Sequence, residues 1–146
     1  MKISLASDHA GYILKENIKN YLTGKGYEIF DAGTHNEDSC DYPEFAVKAA
    51  NAVAGGDCTY GIIICGTGIG MSIVANKIRG IRAANCLSVE MAKLAREHNN
   101  ANVLNLGARL LDIETAEQIT DTFLTTAFAG GRHEKRVKLI HELTGM

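Results

Sequence analysis

No apolar run in this chain approaches the roughly 20 residues that span a bilayer, so a membrane-crossing helix is excluded. Charge of one sign is lacking too. Fifteen Lys and Arg stand against 17 Asp and Glu, for a net charge of −2, so no strong positive field draws nucleic acid or an anionic membrane. The four cysteines, Cys40, Cys58, Cys65 and Cys86, contain no Cys-x-x-Cys pair and no metal-ligand spacing. A reduced, cytoplasmic protein is expected. Met1 leads straight into a strand pattern, so no signal peptide is expected. Pro43 is the single proline, and it suits the first turn of a helix. What remains is a 146-residue chain that is 46% hydrophobic, the size and composition of one domain with a real core.

The stretch around which the rest is organised is Gly61 to Ser72. Ile62, Ile63 and Ile64 read as a short strand buried on both faces, closed by Cys65. Gly66, Gly68 and Gly70 alternate through the turn, and a helix over 69–77 follows. Strand, glycine turn and helix aim several backbone N–H groups at one spot. A thiol in that position is placed to lose its proton. A dinucleotide fingerprint does not fit, because Met71 stands where its third glycine belongs and the next strand ends without an acid. The Gly-Lys-Ser/Thr of a nucleotide phosphate loop is missing as well. Glycine spacing alone leaves two readings open, a tight turn or an anion nest.

Taken in order, the chain alternates strand and helix five times. Strands are expected at 2–7, 27–31, from about 60 to 65, 81–86 and 102–107. The first helix should bury Ile13, Leu14, Ile18, Tyr21 and Leu22. A second runs 43–54, and Ser88 opens one that carries Met91, Leu94 and Ala95 inward. Asp112 caps a long helix with Ala116, Ile119, Phe123 and Leu124 on one side. A basic helix begins at Arg132. The pattern predicts a parallel sheet covered by helices on both faces, with ligand chemistry at the carboxyl ends of the strands.

Those ends carry the candidate chemistry. Asp8-His9 follows the first strand; Asp8 alone would be a helix cap, and His9 beside it argues for a polar site. Free cysteine is usually a small buried hydrophobe, and only Cys65 has a context that argues otherwise. Thr67 either tightens the turn or bonds a substrate oxygen. His98 and the asparagines after it suit a helix C-terminus. Arg109 follows the fifth strand. Arg132 and Arg136 lie four apart on one helical face, either a solvated basic stripe or a phosphate grip.

The chain resembles the type B ribose-5-phosphate isomerases, of the family that also holds galactose-6-phosphate and allose-6-phosphate isomerases. The residues that carry the likeness are Ser7-Asp8-His9-Ala10-Gly11, Asp41-Tyr42-Pro43, Ile64-Cys65-Gly66-Thr67-Gly68-Ile69-Gly70, Ala75-Asn76-Lys77, Gly80-Ile81-Arg82-Ala83, Arg96-Glu97-His98-Asn99, Asn102-Val103-Leu104 and Gly130-Gly131-Arg132-His133. They run in order through nearly the whole chain. The resemblance implies a Rossmann-like three-layer α/β/α fold with a five-stranded parallel sheet. It also implies a homodimer or tetramer with active sites at the subunit interface, the C-terminal helix among the interface elements. The reaction it implies, interconversion of ribose 5-phosphate and ribulose 5-phosphate, needs no metal and no cofactor.

On that resemblance Cys65 is the proton-transfer base. The amides from Gly66 to Gly70, Ile69 included, and the Thr67 hydroxyl hold the enediolate oxygens. His98 opens the sugar ring, with Asp8 handling a hydroxyl. His9, Arg109, Arg132 and Arg136 hold the phosphate, and Tyr42 and Asn99 line the sugar. Three rivals stand beside this reading: the same chemistry on a six-carbon phosphate, which a pocket separates by only about 1–3 kcal/mol per methylene; a sugar-phosphate binding module without catalysis; and, further off, a dinucleotide-dependent oxidoreductase.

Overall fold

The computed structural model describes all 146 residues. Five strands, β1 (Lys2–Ser7), β2 (Glu28–Asp31), β3 (Tyr60–Cys65), β4 (Ala83–Asn85) and β5 (Val103–Gly107), form one sheet in the order β2-β1-β3-β5-β4. Every pairing is parallel. Six α-helices accompany them: α1 (Tyr12–Gly24), α2 (Tyr42–Ala54), α3 (Ile69–Ala75), α4 (Val89–Asn99), α5 (Ile113–Thr125) and α6 (Arg132–Thr144). The expected five-stranded α/β architecture is the one found. No helix is long and apolar enough to cross a membrane.

Side chains alternate across a strand, and β3 shows the result. Ile62 and Ile64 join the core that α1, α4 and α5 cover, while Ile63 and Cys65 join the core under α2 and α3. Burying each isoleucine is worth about 1.5–3 kcal/mol, so the central strand needs both helical layers. The chain runs from β1 outward to β2, then returns across β1 to β3. That reversal opens a crevice at the carboxyl ends of β1 and β3, where doubly wound sheets bind ligands.

Two helices are turned differently from the sequence expectation. In α1 the inward stripe is Leu14, Lys15, Ile18 and Leu22; Ile13 is 53% exposed, whereas Lys15 is fully buried. The Lys15 ammonium bonds Asp31 Oδ1 and Oδ2 at 3.0 and 2.9 Å and Glu16 Oε1 at 2.5 Å. Burial alone would raise the Asp31 carboxyl, but hydrogen bonds from Lys19, Lys15 and the Gly33 amide hold it below the usual carboxylate range. Lysine therefore takes a core position because an acid on β2 meets it. In α4 the inward residues are Ala92, Ala95 and Arg96, and Met91 and Leu94 face outward. Arg96 fixes this rotation. Its guanidinium bonds Thr126 O, Ala101 O, Asn100 Oδ1 and the Tyr60 hydroxyl, and small alanines let the helix approach the sheet.

Strand β4 is shorter than expected, three residues rather than six. The segment before it is clamped by Asn76, whose carboxamide bonds both Ala83 N and Ala83 O at 2.9 Å. Helix α6 buries no residue. It is tied to the body by Arg82 Nη1 donating to His141 Nε2 at 2.9 Å and by Ala129 N donating to Glu97 O at 3.0 Å.

Candidate active site

The turn after β1 packs directly on the backbone of β3. Asp8 N donates to Ile64 O at 3.2 Å, and a Cβ at Gly11 would collide with that same carbonyl. Only glycine permits this approach, and the approach brings Asp8 and His9 to Cys65. Asp8 does cap a helical turn, His9–Gly11, with Oδ1 accepting from Gly11 N at 2.9 Å. Its other oxygen has no protein partner. The Cys40 amide donates to His9 Nδ1 at 3.3 Å, which places the neutral ring's proton on Nε2.

Cys65 is 5% exposed and ends β3. Its sulfur accepts the Gly68 N–H at 3.2 Å. The Ile69 N–H goes to Thr67 Oγ1 at 3.3 Å. Two amides expected to face a ligand are thus engaged inside the turn, one of them on the sulfur itself. Gly68 takes a left-handed φ of 78°, a conformation that favours glycine. Arg109 lies over Gly66, its own N–H on Gly66 O at 3.0 Å. Together Asp8, His9, Tyr42, Cys65, Gly66, Thr67, Gly70 and Arg109 line a cavity of about 240 Å³.

The remaining candidates lie elsewhere on the chain. His98 and Asn99 end α4, and Arg136 stands on the second turn of α6. They line a separate cavity of about 250 Å³ that shares no residue with the first. Arg132 opens α6 on the exposed surface and lines neither cavity. One residue without an assigned role joins the second group. The His133 ring stacks on His98 with centroids 4.2 Å apart and planes 9° apart. Partial burial holds His133 below the ordinary histidine range, and positive charge from His98, Arg132 and Arg136 adds to this against Glu97. Local sequence gives His133 only a place in the basic run that opens α6; the tertiary approach of α6 to α4 is what pairs it with His98.

The two groups share an electrostatic property. Every ion pair in the molecule uses a lysine, so Arg109, Arg132 and Arg136 carry no carboxylate partner. Three uncommitted guanidinium groups suit a phosphate dianion. Two of the other thiols, Cys58 and Cys86, offer no competing nucleophile. Burial pushes Cys86 up to about 11 and raises Cys58, so both stay protonated. The largest cavity, about 550 Å³, lies between β4 and α6. Asn99 and Lys77 line it too, while its Arg82 is committed to Asn100 O and His141. No group of three or more His, Cys, Asp or Glu is arranged to hold a metal ion.

Comparison with known proteins gives one family. A family model described as Ribose/Galactose Isomerase matches residues 3–140. Ribose-5-phosphate isomerase B of Escherichia coli strain K12 is 47% identical over 139 residues, 95% of this chain and 93% of that protein. Among solved structures, the ribose-5-phosphate isomerase B of Clostridium thermocellum superposes with a TM-score of 0.98 at 52% identity, covering 99% of this chain and 98% of that one. The isomerase of Mycoplasma genitalium, solved with bound ribulose 5-phosphate, superposes with a TM-score of 0.94 at 40% identity, covering 99% and 96%.

Proposed function

The chain belongs to the ribose/galactose isomerase family and is an aldose–ketose sugar-phosphate isomerase; from that premise we propose that it interconverts ribose 5-phosphate and ribulose 5-phosphate through an enediolate, with Cys65 as the base. The observation that carries the proposal is the Cys65 sulfur at the end of the central strand. It faces a small cavity between Asp8, His9 and Arg109 and accepts an amide N–H.

In the open-chain aldose the Cys65 thiolate takes the proton from carbon 2. The pair of electrons left behind forms the carbon–carbon double bond of the enediolate, and charge moves onto the carbonyl oxygen. The proton of the carbon 2 hydroxyl passes to the carbon 1 oxygen, and the thiol returns its own proton to carbon 1 as the carbon 2 oxygen becomes the ketone. The Thr67 hydroxyl and the remaining free amides of the turn stabilise that oxygen charge. His98 and Asp8 open the cyclic sugar by taking the proton of the anomeric hydroxyl and delivering one to the ring oxygen, as the bond between carbon 1 and the ring oxygen breaks. His9, Arg109, Arg132 and Arg136 hold the phosphate, and Tyr42 and Asn99 flank the carbon chain.

Ligand pockets run to about 300–1,000 Å³, and each half of the candidate set falls short of that on its own. We therefore place the His98 group of one protomer over the Cys65 cavity of another, in a homodimer or a tetramer. The unburied α6 and the exposed apolar residues Ile69, Ile73, Met91 and Leu94 support an interface between copies. The six-carbon substrates remain the second reading, because the family name covers them.

Cys65→Ala should lower turnover of ribose 5-phosphate by about 10²–10⁴-fold, the range for losing a positioned general base. Binding of the phosphosugar, followed by calorimetry, should persist. Wild-type turnover in the purified variant removes Cys65 from the mechanism. Retained binding without parental turnover on any pentose or hexose phosphate leaves a binding module.

A further inference from the structure

The peptide between Thr67 and Gly68 gives both of its polar groups to side chains. Its N–H donates to Cys65 Sγ at 3.2 Å, and its C=O accepts from Asn85 Nδ2 at 3.3 Å. The backbone confines this plane on one side, where a Cβ at Gly107 would meet Thr67 O at 2.8 Å. Gly68 has no Cβ, and glycine tolerates either sign of φ, so the peptide could rotate and carry its N–H off the sulfur. Asn85 prevents that rotation by gripping the opposite end of the same plane.

The orientation of the Asn85 carboxamide is fixed by chemistry. Only its NH₂ can face a carbonyl, so Oδ1 turns toward the Gly68 Cα, where a Cβ would collide with it. That oxygen is buried and has no partner. Asn105 on β5 is the register partner of Asn85 on β4. Register partners in a parallel pair project to the same face about 5 Å apart. Asn105 is completely buried, and neither its Oδ1 nor its Nδ2 has a partner. Buried carboxamides are rarely left unpaired; here the two asparagines stand side by side with unpaired groups, and no hydrogen bond joins them.

We propose that Asn85, with Asn105 beside it, is a positioning residue for the isomerase reaction: it holds the Thr67–Gly68 peptide with its N–H on the Cys65 sulfur and thereby sets how reactive that sulfur is. This rests on Cys65 being the base and deepens that reading. An N–H donor favours an anionic sulfur over a neutral one. The other titratable groups that face the sulfur's cavity are Asp8 and His9 beyond β1, Tyr42 on α2 and Arg109 beyond β5; α3 brings none. Neutral substitutions at Asn85 and Asn105 leave all of these charges unchanged.

The test reads the sulfur rather than turnover. In a Cys40→Ser background, the rate of Cys65 alkylation by iodoacetamide is followed across pH. In Asn85→Ala the half-maximal rate should move upward by about one pH unit, with kcat near neutral pH down about tenfold and KM unchanged. Asn105→Ala, the milder change, should move it the same way by less. Asn76→Ala serves as the structural comparison, since Asn76 clamps the neighbouring Ala83 without touching the Thr67–Gly68 peptide. It should lower the thermal midpoint and leave the alkylation profile in place. If the profile is unmoved in Asn85→Ala, or in Asn105→Ala should Asn85→Ala not fold, the proposal is overturned. It is overturned as well if Asn76→Ala gives the same shift. Turnover retained by Cys65→Ala would defeat the base reading instead, a result the alkylation profile does not depend on.

Discussion

The two halves of the candidate site are built in opposite ways. The Cys65 half sits at the edge of the sheet and is braced by backbone bonds from several directions, among them Asp8 N to Ile64 O, Ala108 N to Cys65 O and Arg109 N to Gly66 O. The His98 half is made by the last turn of α4 and by α6, a helix with nothing buried. One half is fixed by the sheet itself. The other is displayed on an exposed surface. Enzymes need groups held to within fractions of an ångström, so the displayed half gains its precision only when something presses on it.

The strongest challenge to that contrast is a mixing experiment. Cys65→Ala and His98→Ala are each expected to be inactive. Denatured together and refolded, they should recover about a quarter of parental turnover, because half of the dimers are mixed and each mixed dimer keeps one intact site. A mixture that stays inactive would place both halves in one chain. Next in size, Arg136→Ala should raise the KM for phosphorylated sugar about ten- to hundredfold, the worth of a charge-assisted hydrogen bond. An unchanged KM would return Arg136 to the solvated face of α6.

Within the rigid half, Gly11→Ala should cost about 1–3 kcal/mol of stability, since its Cβ meets main chain that cannot move aside. Thermal or urea unfolding measures it, and a neutral result would mean that the β1 turn is looser than its packing on Ile64. The smallest effect belongs to the displayed half. The unfolded chain protonates His133 near the ordinary value of about 6.5, whereas the folded chain holds the group lower. Between those two pH values the unfolded state binds more protons, so stability falls as pH drops through that window and is flat above it. His133→Asn should flatten this part of the Tm–pH curve; an identical slope in the variant would show that the stack with His98 carries no penalty for charge.

What the sequence made legible follows the same division. Strand β1 could be placed to the residue, because its pattern is short and bounded, and the end of β3 at Cys65 likewise. The placement of Cys65 beside Asp8 and His9 followed from topology, since parallel strands deliver their carboxyl ends to one edge. Helix rotation was not legible where a polar residue took the core. Lys15 displaced Ile13 because Asp31 and Glu16 lie within reach, and Arg96 displaced Met91 and Leu94 because four acceptors gather around its guanidinium. The deciding partners, Asp31 for Lys15 and Tyr60 and Thr126 for Arg96, are distant in sequence, so no periodicity could announce them. The stacking of His133 on His98 was hidden for the same reason: it depends on where α6 settles after Gly130 and Gly131. The capping of α5 by Asp112, by contrast, is local and was readable, with Oδ1 on Thr115 N at 2.8 Å.

The sealed ammonium of Lys15 makes the molecule its own unfolding gauge. Acylating reagents label lysines in proportion to their contact with solvent, and this one has none while α1 lies against β2. Peptide mapping after brief labelling should find the other lysine positions modified long before position 15. The moment at which position 15 acquires its label marks the opening of the sheet's outer strand rather than the fraying of a terminus.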